Sequence, residues 1–195
     1  MSLDPEKRQR ILEAATELFA RFGYRKTSID DVATAAGVGK GTVYLMAKNK
    51  EDLFYQVVHR EIRLWVAEMS QHMDPRLPAD QLLVLCHMLS LQYAQSRPLV
   101  QELLLGNFEE TLPLWTEQLE DLRAIARQRN IEILEVGVRQ GVFRSDLQVE
   151  VVSRILQDIH VAALLIAHRT KRPLEQQMLE AQVGVELLLN GLKSR

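Results

Sequence analysis

Cysteine is all but missing from this chain. Cys86 is the single example in 195 residues, so an internal disulfide is impossible and the disulfide-stapled secreted mini-protein is excluded. Glycine and proline are also scarce, nine and six, and they fall between apolar periodic segments, where helix boundaries are expected. No stretch alternates apolar and polar residues for the length of a strand, which leaves an all-α reading. Long apolar runs are lacking as well. The longest, Leu82 to Leu91 and Val161 to Ala167, fall well short of the roughly 20 residues a membrane span needs. The opening Met1-Ser2-Leu3-Asp4-Pro5-Glu6-Lys7-Arg8 is charged and has no signal-peptide core, so a soluble cytoplasmic protein is expected.

Neither sign of charge dominates. The net charge is -2, but residues 1–60 hold ten Lys+Arg against eight Asp+Glu, while the remainder holds fourteen against eighteen. The slight basic surplus sits at the N-terminal end, although phosphate binding depends on where cations sit more than on their sum. With 47% apolar residues the chain can bury a core as one ordinary domain or two small ones. The five histidines are scattered, without His-x-x-Glu-His or cysteine-rich spacing, so no metal site and no cofactor are expected. Paired carboxylates, a glycine-rich phosphate loop and a nucleophile elbow are missing too. Nothing in the sequence supports an enzyme.

What is present is helix after helix. The first opens with Asp4 as N-cap and Pro5 at its first position, and its apolar stripe is Ile11, Leu12, Ala15, Leu18, Phe19 and Phe22, with Gly23 placed to end it. Thr27 with Asp30 has the spacing of a capping box for a short second helix whose inner face is Ile29, Val32, Ala33 and Ala36, stopped by Gly37. A third helix begins near Gly39 or Lys40 and covers little more than Gly41 to Met46. Asn49, with Asp52 three residues on, caps a fourth that runs through Leu53, Phe54, Val57, Val58, Ile62, Trp65 and Met69. Further helices are predicted over 80–95, 98–105, 113–140, 148–169 and 173–193.

Residues 27 to 45 place two short helices around Ala36-Gly37-Val38-Gly39, the length and glycine placement of a helix-turn-helix. Such a pair presents its second helix to the major groove while the first crosses the backbone. Gly39 and Gly41 permit close approach to DNA, Lys40 and Thr42 can reach base edges or phosphates, and Tyr44 offers a hydroxyl to a phosphate. Lys48 and Lys50 lie just beyond, and Thr27 and Ser28 stand at the start of the second helix. These nine residues are the expected DNA contacts.

The run from Ile11 to Val58 resembles the DNA-binding domain of the TetR family of transcriptional regulators. The matching pieces are Ile11-Leu12-Glu13-Ala14-Ala15, Leu18-Phe19, Phe22-Gly23-Tyr24, Thr27 to Ala33, Ala36 to Tyr44, and Asn49-Lys50-Glu51-Asp52-Leu53. The resemblance implies that Ser28, Tyr44 and Lys50 hold phosphates and that Lys40, Gly41 and Thr42 face bases. It also implies a homodimer on a near-palindromic operator, repression, and release by a small molecule bound in the C-terminal domain. An activator, or a DNA-binding factor without an inducer, is the alternative. The chain departs from the family pattern at Leu45-Met46-Ala47-Lys48: Ala47 replaces a packing aromatic, and Leu45 offers a base only an apolar contact.

The expected organisation is a helix-turn-helix domain over 1–48 and a helical ligand-binding and dimerisation domain over 49–195, the fourth helix bridging them. The C-terminal part is rich in apolar residues, mostly core. Polar residues on its apolar helices, His87, Gln92, Asn130, Gln157, Asp158 and His160, are the pocket candidates. The ligand-lining set is read as Met88, Gln92, Phe108, Trp115, Gln157 and His160. The final two helices carry Ile159, Ala163, Ile166 and Ala167 with Val183, Leu187, Leu188 and Leu192 at spacings of three and four, a candidate four-helix interface across a two-fold axis. Two reading helices about 34 Å apart require such an interface.

Overall fold

Asp4 starts the first helix as its sequence position predicts: its carboxylate accepts the Glu6 N–H at 3.0 Å, with Pro5 next in the chain. The computed structural model describes residues 3–74, 76–104 and 115–193, with the side chains of 104, 115–122, 167 and 168 outside that description. Among the described residues there are nine helices: α1 (Pro5–Lys26), α2 (Ile29–Ala35), α3 (Lys40–Tyr44), α4 (Lys50–His72), α5 (Ala79–Ser96), α6 (Pro98–Leu104), α7 (Trp115–Arg139), α8 (Val149–Thr170) and α9 (Leu174–Leu192). The all-α expectation holds, and the helix limits lie within two residues of those predicted wherever the chain is described, except that α1 runs to Lys26 where it was expected to stop at Gly23. Among the described residues, no helix is long and apolar enough to cross a membrane.

Contacts divide the chain into two compact units, Met1–Trp65 with Arg97–Pro113, and Val66–Ser96 with Leu114–Arg195. The change of unit falls within α4, the helix expected to act as the bridge, and the segment from Arg97 goes with the first unit. The 1–48 and 49–195 division therefore remains a functional proposal.

In the first unit α1 breaks at Gly23, whose φ of 77° and ψ of 167° are left to glycine because a Cβ would clash there. The chain then turns through Tyr24 to Lys26 before α2. Ile11, Leu12, Ala15 and Phe19 are buried as expected, but Phe22 is not: one residue before the break it lies exposed beneath the Arg21 guanidinium, 5.1 Å from its ring centre. Phe19 meets Phe54 edge-on at 4.8 Å and Tyr24 meets Phe54 at 5.3 Å, so α1 and α4 are joined through an aromatic cluster. α6 packs on α1 in the same unit.

The second unit is built on Leu82, Leu83 and Cys86 of α5, Ile133 and Leu134 of α7, Leu156 of α8, and Val185 and Leu189 of α9, with Phe143 and Leu147 from the loop between α7 and α8. That loop is tied down where Arg144 N–H donates to Leu192 O at 3.0 Å. Gly137 of α7 is needed for the packing itself, since a Cβ there would overlap the Phe143 ring and come within 2.8 Å of the Ala79 Cβ.

Candidate nucleic-acid interface

The turn between α2 and α3 is closed from both sides. Ala33 O accepts the Val38 N–H at 3.0 Å and Thr34 O accepts the Gly37 N–H at 3.1 Å, with Gly37 at φ 63°, the hydrogen-bond pattern of a Schellman motif. α3 then lies with Val43 and Ala47 inward, 0% and 1% exposed, so its other sides face away from the body of the unit. Ala47 fills its inward position with a methyl group.

The start of α2 is capped one residue later than expected. Ser28 Oγ accepts the Asp31 N–H at 3.1 Å while Asp31 accepts the Ser28 N–H at 2.9 Å, a reciprocal capping box. The Ser28 hydroxyl also donates to Asp31 at 2.6 Å, and these bonds hold the Asp31 carboxyl below its ordinary range. Thr27, expected both as that cap and as a DNA contact, is only 3% exposed. Its hydroxyl reaches back to Gly23 O at 2.9 Å and Leu18 O at 3.2 Å, carbonyls on either side of the last turn before the end of α1. Thr27 is thus a structural residue, and Ser28 alone of the pair is exposed.

Lys40, at the first position of α3, is exposed and its ammonium meets Asp30 at 2.8 Å. The hydrogen bond first, and the carboxylate charge second, raise the Lys40 pKa above the ordinary lysine value. Both partners face water, so exchanging Asp30 for a phosphate or a base edge costs little. Thr42 is partly exposed, Tyr44 and Lys48 are exposed, and Gly39 and Gly41 lie bare beside them. A Cβ at Gly41 would meet nothing within 4 Å, so neither its backbone nor its neighbours within the protein require glycine there. Lys50 sits at the start of α4, behind its N-cap Asn49, whose Oδ1 accepts the Asp52 N–H at 2.8 Å. Its ammonium donates to Tyr24 O at 2.9 Å and lies 4.2 Å from the Tyr24 ring centre, which orients a group that still has donors to offer. Burial first, and Glu51 second, push the Tyr24 pKa upward.

Periodicity did not mark Gln56. Its amide donates to Met46 O at 2.8 Å, just past α3, and its Oε1 accepts from Arg8 of α1 at 2.9 Å. One side chain of α4 thereby braces the end of α3 against the beginning of α1. Its amide also reaches Asp52 one turn earlier at 3.3 Å, but the two bonds that do the bracing span ten and 48 residues, beyond the reach of a local signal.

Of the predicted ligand-lining residues, Met88, Gln92, Gln157 and His160 are described and belong to the second unit. His160 of α8 faces His87 of α5, ring centres 5.2 Å apart and nearly perpendicular. His87 is buried, with Nδ1 at 2.8 Å from Leu83 O. Burial lowers both imidazole pKa values, and for His160 burial followed by the His87 charge brings it down to about 3. Gln157 is buried and its amide donates to Arg123 O at 2.8 Å, while Met88 is partly buried. Gln92 is exposed on α5 and does not join these interior groups. Phe108 and the Trp115 side chain lie outside the described residues. Of the predicted interface residues, Ile159, Ala163, Ile166, Val183 and Leu187 are exposed. Leu188 and Leu192 pack instead against their own unit's core, and the Ala167 side chain is outside the description. Ile155 and Leu179, not predicted, are exposed apolar residues on the same two helices. Among the described residues no group of three or more His, Cys, Asp or Glu could hold a metal ion.

Two short helices locked at their turn, the second turning its cation- and hydroxyl-bearing sides away from the body that anchors it, define a helix-turn-helix DNA-binding protein. Residues 11–57 match the sequence profile of bacterial regulatory proteins, tetR family. The chain is 27% identical over 177 residues to the HTH-type transcriptional regulator YhgD of Bacillus subtilis, covering 91% of each chain. It is also 27% identical to the HTH-type transcriptional repressor KstR2 of Rhodococcus jostii, over 96% of this chain and 92% of that one. FadR of Bacillus subtilis, solved in complex with stearoyl-CoA, has the same fold with a TM-score of 0.83 at 18% identity, over 95% of this chain and 99% of that one. Residues 11–57 thus carry the DNA-binding domain of tetR-family regulators, and over nearly its whole length the chain is similar to transcriptional regulators.

Proposed function

We propose that this regulator is a cytoplasmic repressor that binds a near-palindromic operator as a homodimer and is released from it by a largely apolar small molecule held in the second unit. The observation that carries the reading is α3: its inner line is buried, while Lys40, Thr42 and Tyr44 are left to an outside partner. Ser28, Lys48 and Lys50 flank it and serve the phosphates, Gly39 and Gly41 leave room for close approach, and Lys40 and Thr42 serve the base edges. Repression is supported by the relative named as a repressor. An effector with a long apolar part is supported by the neighbour bound to stearoyl-CoA and by the interior imidazole pair and Gln157 on otherwise apolar helices. Dimerisation is supported by Ile159, Ala163 and Ile166 of α8 with Val183 and Leu187 of α9, an apolar set left open to water in the single chain.

The test is fluorescence anisotropy with the DNA upstream of the protein's own gene, with and without stearoyl-CoA. Binding stronger than to random DNA, weakened by the acyl-CoA, is expected. No preference over random DNA overturns the regulator's role at that site, and binding indifferent to the ligand overturns the effector class. Leu187→Glu, followed by sedimentation, is expected to give monomers that hold operator poorly; an unchanged dimer would remove α9 from the interface.

A further inference from the structure

The residue that caps the C-terminal end of α3, Leu45, is apolar and faces water. Successive residues of an α-helix turn by about 100°, and Val43 and Ala47 mark the inward line. Leu45, midway between them, therefore points about 180° away from their mean direction, and it is 70% exposed. Helical bonding continues past it: Leu45 N–H donates to Gly41 O at 3.2 Å and Ala47 N–H to Val43 O at 3.0 Å. The following residue, Met46, is the one braced by Gln56. Leu45 is thus held in place, on a helix crest, with its side chain in water.

Beside it on the outer side, one turn earlier, is Gly41, where no side chain stands and a Cβ would touch nothing. The crest consequently presents one apolar group next to a bare stretch of backbone, a shape that can sink to the floor of a groove. Leucine neither donates nor accepts hydrogen bonds. In the major groove the apolar feature that distinguishes one base pair from the others is the C5-methyl of thymine.

We propose that Leu45 reads thymine through its C5-methyl group, so that each operator half-site carries a thymine under the crest of α3. The inference rests on the operator-binding function above and adds to it the identity of one base and the atom by which that base is read. It assigns specificity to the very position where this chain departs from polar readout.

Duplexes would be selected from a random-sequence pool with the full-length protein, and each thymine of the recovered half-site then replaced by deoxyuracil. This change removes the methyl and leaves every hydrogen-bonding edge intact. At one thymine per half-site the affinity is expected to fall about fourfold, the worth of one buried methyl-sized group. Leu45→Ala, at a site exposed enough to leave the melting temperature unchanged, is expected to bind thymine and uracil duplexes equally. Leu45→Gln is expected to prefer adenine at that position, because its amide can bridge the adenine N6 and N7. Equal binding of both duplexes by the wild type, or a uracil penalty that persists in Leu45→Ala, overturns the proposal while leaving operator binding intact. Failure to enrich any duplex would overturn both readings together.

Discussion

Gly41→Ala separates what the fold needs from what its partner needs. Gly41 has an ordinary helical backbone, and an added Cβ would meet nothing within 4 Å, so alanine fits the free protein without strain. Within a helix, glycine is less stable than alanine by about 0.5–1 kcal/mol, because it gives up more backbone freedom on folding. The substitution near the start of α3 should therefore stabilise the protein by about 0.5 kcal/mol, raising the melting temperature by about 1–2 °C in a chain of this length. On DNA the sign reverses. A methyl group interposed where backbone approaches the groove should cost on the order of 1–3 kcal/mol, about fivefold to more than a hundredfold in affinity. Thermal melting and fluorescence anisotropy on one preparation read both effects. A variant that melts higher and binds operator as tightly as the wild type would refute the claim that Gly41 is bare for the sake of close approach.

The same substitution at Gly137 should act oppositely on stability: a Cβ there collides with Phe143 in the core, so Gly137→Ala should cost about 1–3 kcal/mol in urea unfolding, and wild-type stability would contradict the packing described. Lys50→Ala should weaken binding to all sequences and flatten its salt dependence, whereas Thr42→Ala should change preference between sequences; equal effects of both on specific and random DNA would count against these roles. The imidazole pair sets a pH dependence. His160 is lowered in the folded state to about 3 from an ordinary 6.5, so the unfolded chain binds the extra proton, and stability present above about pH 6.5 is lost as pH falls toward 3. Between pH 7 and pH 5 the loss from His160 should reach about 2 kcal/mol. Urea titrations of wild type and His160→Asn at both pH values would show it, the variant having the shallower dependence; equal dependence would exclude His160 as the source.

Much of the fold was legible because it is local. Asp4 and Asn49 cap the helices their positions predict, and Ile29, Val32, Ala33 and Ala36 are all buried, since caps and a 3.6-residue period act over a single turn. The reading helix was legible for the same reason: Gly37 stops one short helix and Val43 and Ala47 anchor the next within a dozen residues of chain. The resemblance to the TetR family rested on those same local pieces.

Tertiary structure alone decided where polar groups turned and which apolar residues stayed wet. Thr27 and Ser28 are adjacent and chemically alike, yet Thr27 is turned inward to the Gly23 carbonyl of α1 and the capping box falls to Ser28. Leu187 and Leu188 are neighbours on one helix, yet one faces water and the other the core, because the rotation of α9 against α5 and α8 sets the boundary between them. The tie of Lys50 to Tyr24 and the bracing of Met46 by Gln56 depend on chain segments that meet only after folding. A side chain's period along the sequence fixes the helix it belongs to, but its partner is whichever acceptor, ring or methyl the packed helices bring within reach.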